Sequence, residues 1–206
     1  MFLTIGSGAD GTGDAILRAM FEARKRVFVD LLKWDVPVLA GRYEIDQFDD
    51  VHATNIILTD AAGHHLGSAR LLETERPHIL DMLFPELYDG EVPRGPDVRE
   101  ITRFCLDRRQ DARQRRLTRD TLVHALAAHA LDTGLSGYTG VAEFGWLQQI
   151  LAFGWDCAPL GVPQPVGDSL LGALRIAITP ETPDLLLGAG LAPDAILSAA
   201  AARHAA

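Results

Sequence analysis

The sequence predicts a mixed α/β fold, in which a central sheet is flanked by helices, and three observations carry that prediction. An apolar stripe of helical period runs through Ile16, Met20, Ala23, Val27 and Leu31. Two β-rich runs, Thr54 to Thr59 and His65 to Leu72, flank the turn Asp60-Ala61-Ala62-Gly63 and read as a hairpin. Two further strands, Val98 to Leu106 and Leu170 to Thr179, alternate with helical segments, the pattern of strands and helices packed in layers. At 206 residues, 48% hydrophobic and 23% charged, the chain is long enough for a sizeable core, and one domain spanning 1–206 is the economical expectation.

Taken in order, Phe2 to Ile5 alternates weakly and is a candidate first strand. Gly6 to Gly13 is a Gly-rich link without the spacing of a phosphate-binding loop. Asp14 is the candidate cap of the first helix, and Arg24 and Phe28, four apart, share one of its faces. Pro37 ends that region, and Val36 to Gly41 reads as a loop. Pro77 to Leu83 is a short helix closed by Phe84-Pro85, and Tyr88 to Pro96 is a loop. A basic segment, Arg108 to Arg119, lies at the start of a helix that Thr118 to Leu131 continues. Gly137 to Ala142 is a short strand, Glu143 to Phe153 a helix stopped by Gly154, and Trp155 to Leu160 another strand. Pro163-Gln164-Pro165 is a rigid loop, and Pro180 to Ala206 is helical packing with a fraying tail from Ile196.

The overall balance excludes several classes. A net charge of −9 argues against a general nucleic-acid binder. Met1 to Ile5 lacks a basic region and a long apolar run, so no signal peptide is expected, and no stretch is apolar enough to span a membrane. Two cysteines, Cys105 and Cys157, make no disulfide framework, so a reducing cytoplasm is the expected setting. No metal or nucleophile motif is present: His124 and His129 are five apart, and Cys105 reads as inert core. Neither a metal nor a resident cofactor is expected.

Two stretches carry the candidate chemistry. Tyr43-Glu44-Ile45-Asp46-Gln47-Phe48-Asp49-Asp50 gathers carboxylates around one aromatic ring; it is either a solvated acidic loop or a wall that holds a cation. Arg99 to Cys105 sets Glu100 and Arg103 in an apolar strand. Strict alternation puts Glu100 and Arg103 on opposite faces, so a shared site requires a bulge between them. Arg70 lies in mid-strand: either it is an edge-strand arginine facing water, or it is half-buried and needs a partner, for which Glu44, Asp46 and Asp49 are the candidates.

In order and spacing, Arg24-xxx-Phe28, Trp34, Glu44 to Asp49, Arg70-Leu71-Leu72, Phe84-Pro85 and Glu100 to Phe104 resemble the motif set of the acyl-homoserine-lactone synthases, the autoinducer synthases of bacterial quorum sensing. The likeness runs from Arg24 to Cys105 and resumes more loosely from Tyr138 to Gly161. Each piece alone is weak, and the ordered set is specific. The resemblance implies an N-acetyltransferase-like three-layer fold with a bent, mixed central sheet. It also implies transfer of an acyl group from an acyl thioester, on acyl carrier protein or coenzyme A, to the amine of S-adenosylmethionine, which is a substrate and not a cofactor. Lactone closure then releases methylthioadenosine.

The resemblance carries roles with it. Arg24, Phe28, Trp34, Asp46, Asp49, Arg70 and Arg103 are implied to bind S-adenosylmethionine. Its carboxylate suits an arginine, its cationic groups suit carboxylates, and its adenine suits Phe28 and Trp34. Glu100 is the candidate base for the amine, with Glu44 second. Arg113, Arg115, Arg116 and Arg119 are the candidate dock for an acidic carrier protein or coenzyme A phosphates. Thr139, Val141, Trp146 and Leu147 are candidate acyl-pocket residues, and family members favouring 3-oxo chains have a threonine near Thr139, as do others. Two alternatives stay open: a general N-acyltransferase acting on another amine with acyl-coenzyme A, and a module that binds acyl thioesters without turnover.

Overall fold

The computed structural model describes residues 1–7 and 14–194. The expected Gly-rich link beyond Ser7 and the tail from Ile196 fall outside the described residues. The described residues form ten strands and five α-helices. Strands β1 (Phe2–Ser7), β4 (Thr54–Thr59), β5 (His65–Glu73), β6 (Val98–Leu106), β7 (Gly137–Glu143), β10 (Ser169–Ala177) and β8 (Asp156–Pro159) form one sheet in that order, with β9 (Gln164–Val166) on β10. A small second ladder joins β2 (Val38–Leu39) to β3 (Tyr43–Glu44). The large sheet is mixed: β6 and β7 run parallel, whereas β1 with β4 and β10 with β7, β8 and β9 run antiparallel. The helices are α1 (Asp14–Arg24), α2 (Ile79–Leu83), α3 (Ala112–Thr133), α4 (Phe144–Leu151) and α5 (Thr182–Gly188).

Contacts divide the chain into two compact units, one comprising Met1–Arg70, Arg103–Ala125 and Pro193–Ala206, the other Leu71–Thr102 and Leu126–Ala192. In the first unit, α1 follows the predicted stripe and buries Met20 and Ala23. Its continuation is wound more loosely than expected. Lys25–Leu31 is a π-helical segment, a form that recurs at functional sites, with Val27 and Phe28 buried. Lys33 then adopts a left-handed conformation (φ +60°) and turns the chain back. β4 is buried along nearly its whole length, around the apolar run Ile56-Ile57-Leu58.

In the second unit, cross-strand register fixes which side chains share a face. Glu100 on β6 pairs with Thr139 on β7, and Thr139 pairs with Arg175 on β10; Val141 pairs with Ala173. Residues directly opposite one another point to the same side of a sheet, so all five lie on one face. Leu80, Leu87, Val92 and Ala173 form the buried cluster there, with Phe84, Tyr88, Val141, Leu160, Val166 and Leu171 packed around it. The opposite face carries Tyr138, whose hydroxyl donates to Leu126 O of α3 at 2.9 Å. Pro165 sits within β9, the short outer ladder on β10, so the expected loop there is a strand at the sheet margin, where a proline is tolerated.

Candidate active site

The carboxylates of the acidic stretch are not solvated. Glu44 is buried, the side chains of Asp46 and Asp49 are only 5% and 2% exposed, and the three meet Arg24, Arg70 and Arg103 in a closed ring of alternating charge, all within the first unit. Arg24 binds Glu44 through Nε at 2.5 Å and grips Asp49 with both terminal nitrogens at 2.7 and 2.8 Å. Arg70 forks onto Asp46 at 2.6 and 3.1 Å and reaches Asp49 at 2.9 Å. Arg103 closes the circuit, with Nε on Glu44 at 3.0 Å and Nη2 on Asp46 at 2.7 Å. Forked arginine–carboxylate pairs are the strong, geometrically specific kind.

The local backbone explains how this ring forms. Asp46 accepts the Phe48 N–H at 2.9 Å and Asp49 accepts the Asp46 N–H at 2.9 Å, so the acidic loop is folded on its own carboxylates. Each of these two side chains therefore takes four contacts, which fills the acceptor capacity of a carboxylate. Neither keeps an oxygen lone pair for a substrate cation. Glu44, fully buried, has both oxygens on Arg24 and Arg103. The structure thus gives the three carboxylates the task of fixing three guanidiniums, and the ring sums to zero formal charge. Burial works against the ionised form of Asp49, but the hydrogen bond and charge of Arg24, with the charge of Arg70, outweigh it and hold its pKa down at about 2.

Arg24 and Arg70 have side chains 1% and 0% exposed, whereas Arg103 is 10% exposed and is the ring member nearest solvent. Its Nη1 has no partner among the described residues. Trp34 N–H donates to Phe28 O at 2.9 Å, which lays the indole over the phenyl ring, with centroids 4.8 Å apart and planes at 20°. The Arg103 guanidinium stands 5.6 Å from the Phe28 centroid and 5.8 Å from that of Trp34. Phe28 is buried and Trp34 is 42% exposed, so one indole face remains open.

The irregularity demanded of β6 is present. Val98, Glu100 and Thr102 are buried in alternation, after which the phase shifts and Cys105 and Asp107 are buried. The shift falls at Arg103, which adopts φ +50°, rare for a side chain of its size. Burial pushes the Cys105 thiol up to about 12, so it is an inert core group.

Glu100 lies in the second unit and is fully buried. It accepts the N–H of Ile79 at 2.8 Å and of Leu80 at 2.9 Å, and so supplies the cap that the side chain of His78, the residue preceding α2, does not. Sequence spacing gave no sign of this contact. Thr139 and Val141 share the Glu100 face. Leu147 does not: it lies on the opposite face, where a Cβ on Gly172 would stand 2.6 Å from its methyl group. Trp146 packs edge-on against Phe153 at 5.7 Å. The expected acyl-pocket set is thus divided.

In the basic segment, Arg119 and Arg116 share Asp120, and Arg109 forks onto Asp107. Arg113 and Arg115 have no carboxylate partner among the described residues. Among those residues there is no cluster of three or more metal-binding side chains, and no helix is long and apolar enough to cross a membrane.

Comparison with known proteins identifies the family. Residues 12–183 match the family model described as autoinducer synthase. An acyl-homoserine-lactone synthase of Rhizobium etli is 32% identical over 168 residues, covering 80% of this chain and 77% of that one. The structure of TofI in a ternary complex with an inhibitor and MTA superposes with a TM-score of 0.77 at 27% identity, covering 90% of this chain and 96% of that one. An acyl-CoA N-acyltransferase from Pseudomonas aeruginosa (TM-score 0.57, 18% identity, covering 85% and 99%) shares the fold alone, which makes the expected N-acetyltransferase-like architecture the observed one. The chain belongs to the autoinducer synthase family.

Proposed function

We propose that this chain is an acyl-homoserine-lactone synthase acting on S-adenosylmethionine and an acyl thioester. The observation that supports it best is the ring-held Arg103, with Nη1 open beside the Phe28–Trp34 stack. A fixed guanidinium next to an aromatic face suits a substrate with a carboxylate and an adenine. In this reading Arg103 receives the carboxylate, Trp34 covers the adenine, and Arg24, Arg70, Glu44, Asp46 and Asp49 hold Arg103 in place, so Glu44 serves as a positioning residue. MTA bound to the related TofI is the product this chemistry leaves behind.

Glu100 is assigned the amine proton. As N–H bonding electrons become the nucleophile's lone pair, the carbonyl carbon gains the C–N bond and its oxygen carries the charge. Backbone N–H groups of the central strands stabilise that oxyanion. Collapse breaks the C–S bond, and the departing thiolate takes up a proton. The substrate carboxylate then displaces methylthioadenosine from the γ-carbon, a step that rests on positioning. Arg113, Arg115, Arg116 and Arg119 dock the acidic carrier, and the cytoplasm is the proposed compartment.

The test is incubation of the purified chain with S-adenosylmethionine and a broad panel of acyl thioesters on both carriers. Methylthioadenosine and an acyl lactone are expected by mass spectrometry; no methylthioadenosine with any donor sinks the reading. Glu100→Gln is expected to lower turnover by roughly two orders of magnitude, in line with the loss of a positioned base. Retained turnover in a folded Glu100→Gln protein leaves Glu100 only its capping role.

A further inference from the structure

The stack of Trp34 on Phe28 is set by the backbone between them. Leu32 N–H reaches Val27 O at 3.0 Å, the five-residue step of π winding. Trp34 N–H then donates to Phe28 O at 2.9 Å, a step of six residues. The usual left-handed closure of an α-helix joins residues only five apart. On an α-helical Lys25–Leu31, that closure would carry Trp34 N–H to Val29 O, about 100° round the helix from Phe28. The wider winding takes up one more residue, and so brings the indole onto Phe28, the ring beside the Arg103 guanidinium.

One residue makes the closure possible. Lys33 lies between the two hydrogen bonds and has φ +60°, the conformation that reverses the chain at a helix end. Glycine is the ordinary occupant of such a position, and lysine holds it against a steric penalty. Core packing does not impose the turn, because Leu31, Leu32, Lys33 and Trp34 are all exposed. The Lys33 ammonium makes no ion pair among the described residues. What the site takes from Lys33 is its backbone conformation.

Resting on the synthase reading, we infer that Lys33 is a positioning residue for S-adenosylmethionine: its left-handed backbone closes the π-wound segment so that Trp34 lies over Phe28 beside Arg103. Phe28, Trp34 and Arg103 are the groups assigned to that substrate. A loosened turn lowers the fraction of molecules with the stack in place, which weakens binding of S-adenosylmethionine and leaves binding of the acyl donor alone.

The experiment compares Lys33→Gly, Lys33→Asn, Lys33→Ala and Lys33→Val with the wild type. It measures KM for each substrate by methylthioadenosine release, and Kd for methylthioadenosine by calorimetry. Glycine and asparagine are at home at positive φ, whereas a β-branched residue is a genuine outlier there. Lys33→Gly and Lys33→Asn are expected to keep the S-adenosylmethionine KM within twofold of wild type. Lys33→Val is expected to raise it at least fivefold, to weaken methylthioadenosine binding in parallel, and to leave the acyl-donor KM within twofold. A purely structural turn lowers Tm in Lys33→Val without separating the two KM values, and that result overturns the inference. So does Lys33→Gly losing as much as Lys33→Val, which gives the role to the ammonium. If Lys33→Val does not fold, Lys33→Ala is read against Lys33→Asn: a higher S-adenosylmethionine KM for Lys33→Ala upholds the inference, and equal values overturn it. A wild type that neither binds methylthioadenosine nor releases it with any donor is a different failure, that of the synthase reading itself.

Discussion

Arg70 shows how much the chemistry and position of one residue disclose. An arginine in mid-strand demands a partner, and the three carboxylates upstream are the ones it meets, Asp46 and Asp49 directly and Glu44 through the ring. Spacing could not disclose that Asp46 and Asp49 are saturated, because hydrogen-bond counts depend on side-chain and loop geometry. The ring has a pH signature. Asp49 has a folded-state pKa of about 2, below its unfolded value near 4, so its contribution to stability is complete above about pH 4 and is lost as pH falls toward 2. Acid unfolding of the wild type should therefore steepen over that window, and Asp49→Asn should flatten it. Circular dichroism at equilibrium from pH 5 to 2 reads the difference. At pH 7 the Asn variant leaves guanidiniums under-compensated, at a cost of about 3 kcal/mol.

At the scale of elements, hydrophobic period and turn chemistry located the strands and helices of the main sheet within a few residues. The misses have physical causes. The π-helical segment Lys25–Leu31 carries the same apolar spacing as an α-helix, so its winding is hidden. Strands β2 and β9 are only two and three residues long and lie among prolines, too short to show alternation. The phase shift in β6 depends on one left-handed residue, Arg103, whose chemistry gives no hint of that conformation. The β7–β10 ladder has its own test. A Cβ on Gly137 would stand 2.5 Å from Ile176 O, a backbone atom that cannot yield without displacing the strand. Gly137→Ala should cost about 2 kcal/mol and lower Tm by roughly 5 °C in a thermal melt.

For the molecule as a whole, charge is the quantity that matters. The net charge is −9, yet the acidic stretch adds no acidic face, since its ring carboxylates are matched one to one by arginines. Arg113 and Arg115 are the contrast: cations without carboxylate partners among the described residues, at the start of α3. Reversing Arg113 and Arg115 together to Glu should raise KM for the acyl donor about tenfold and leave KM for S-adenosylmethionine unchanged, with the donor effect shrinking as salt rises. Equal effects on both substrates would refute docking. The closed ring also bears on how the chain reaches its native state. Its contacts span 20 to 59 residues of sequence, so four separate segments must arrive before every member is fully compensated. A compact but misassembled chain would bury an odd charge, and that penalty makes the ring a proofreading step: folding is committed only when the last arginine closes the circle.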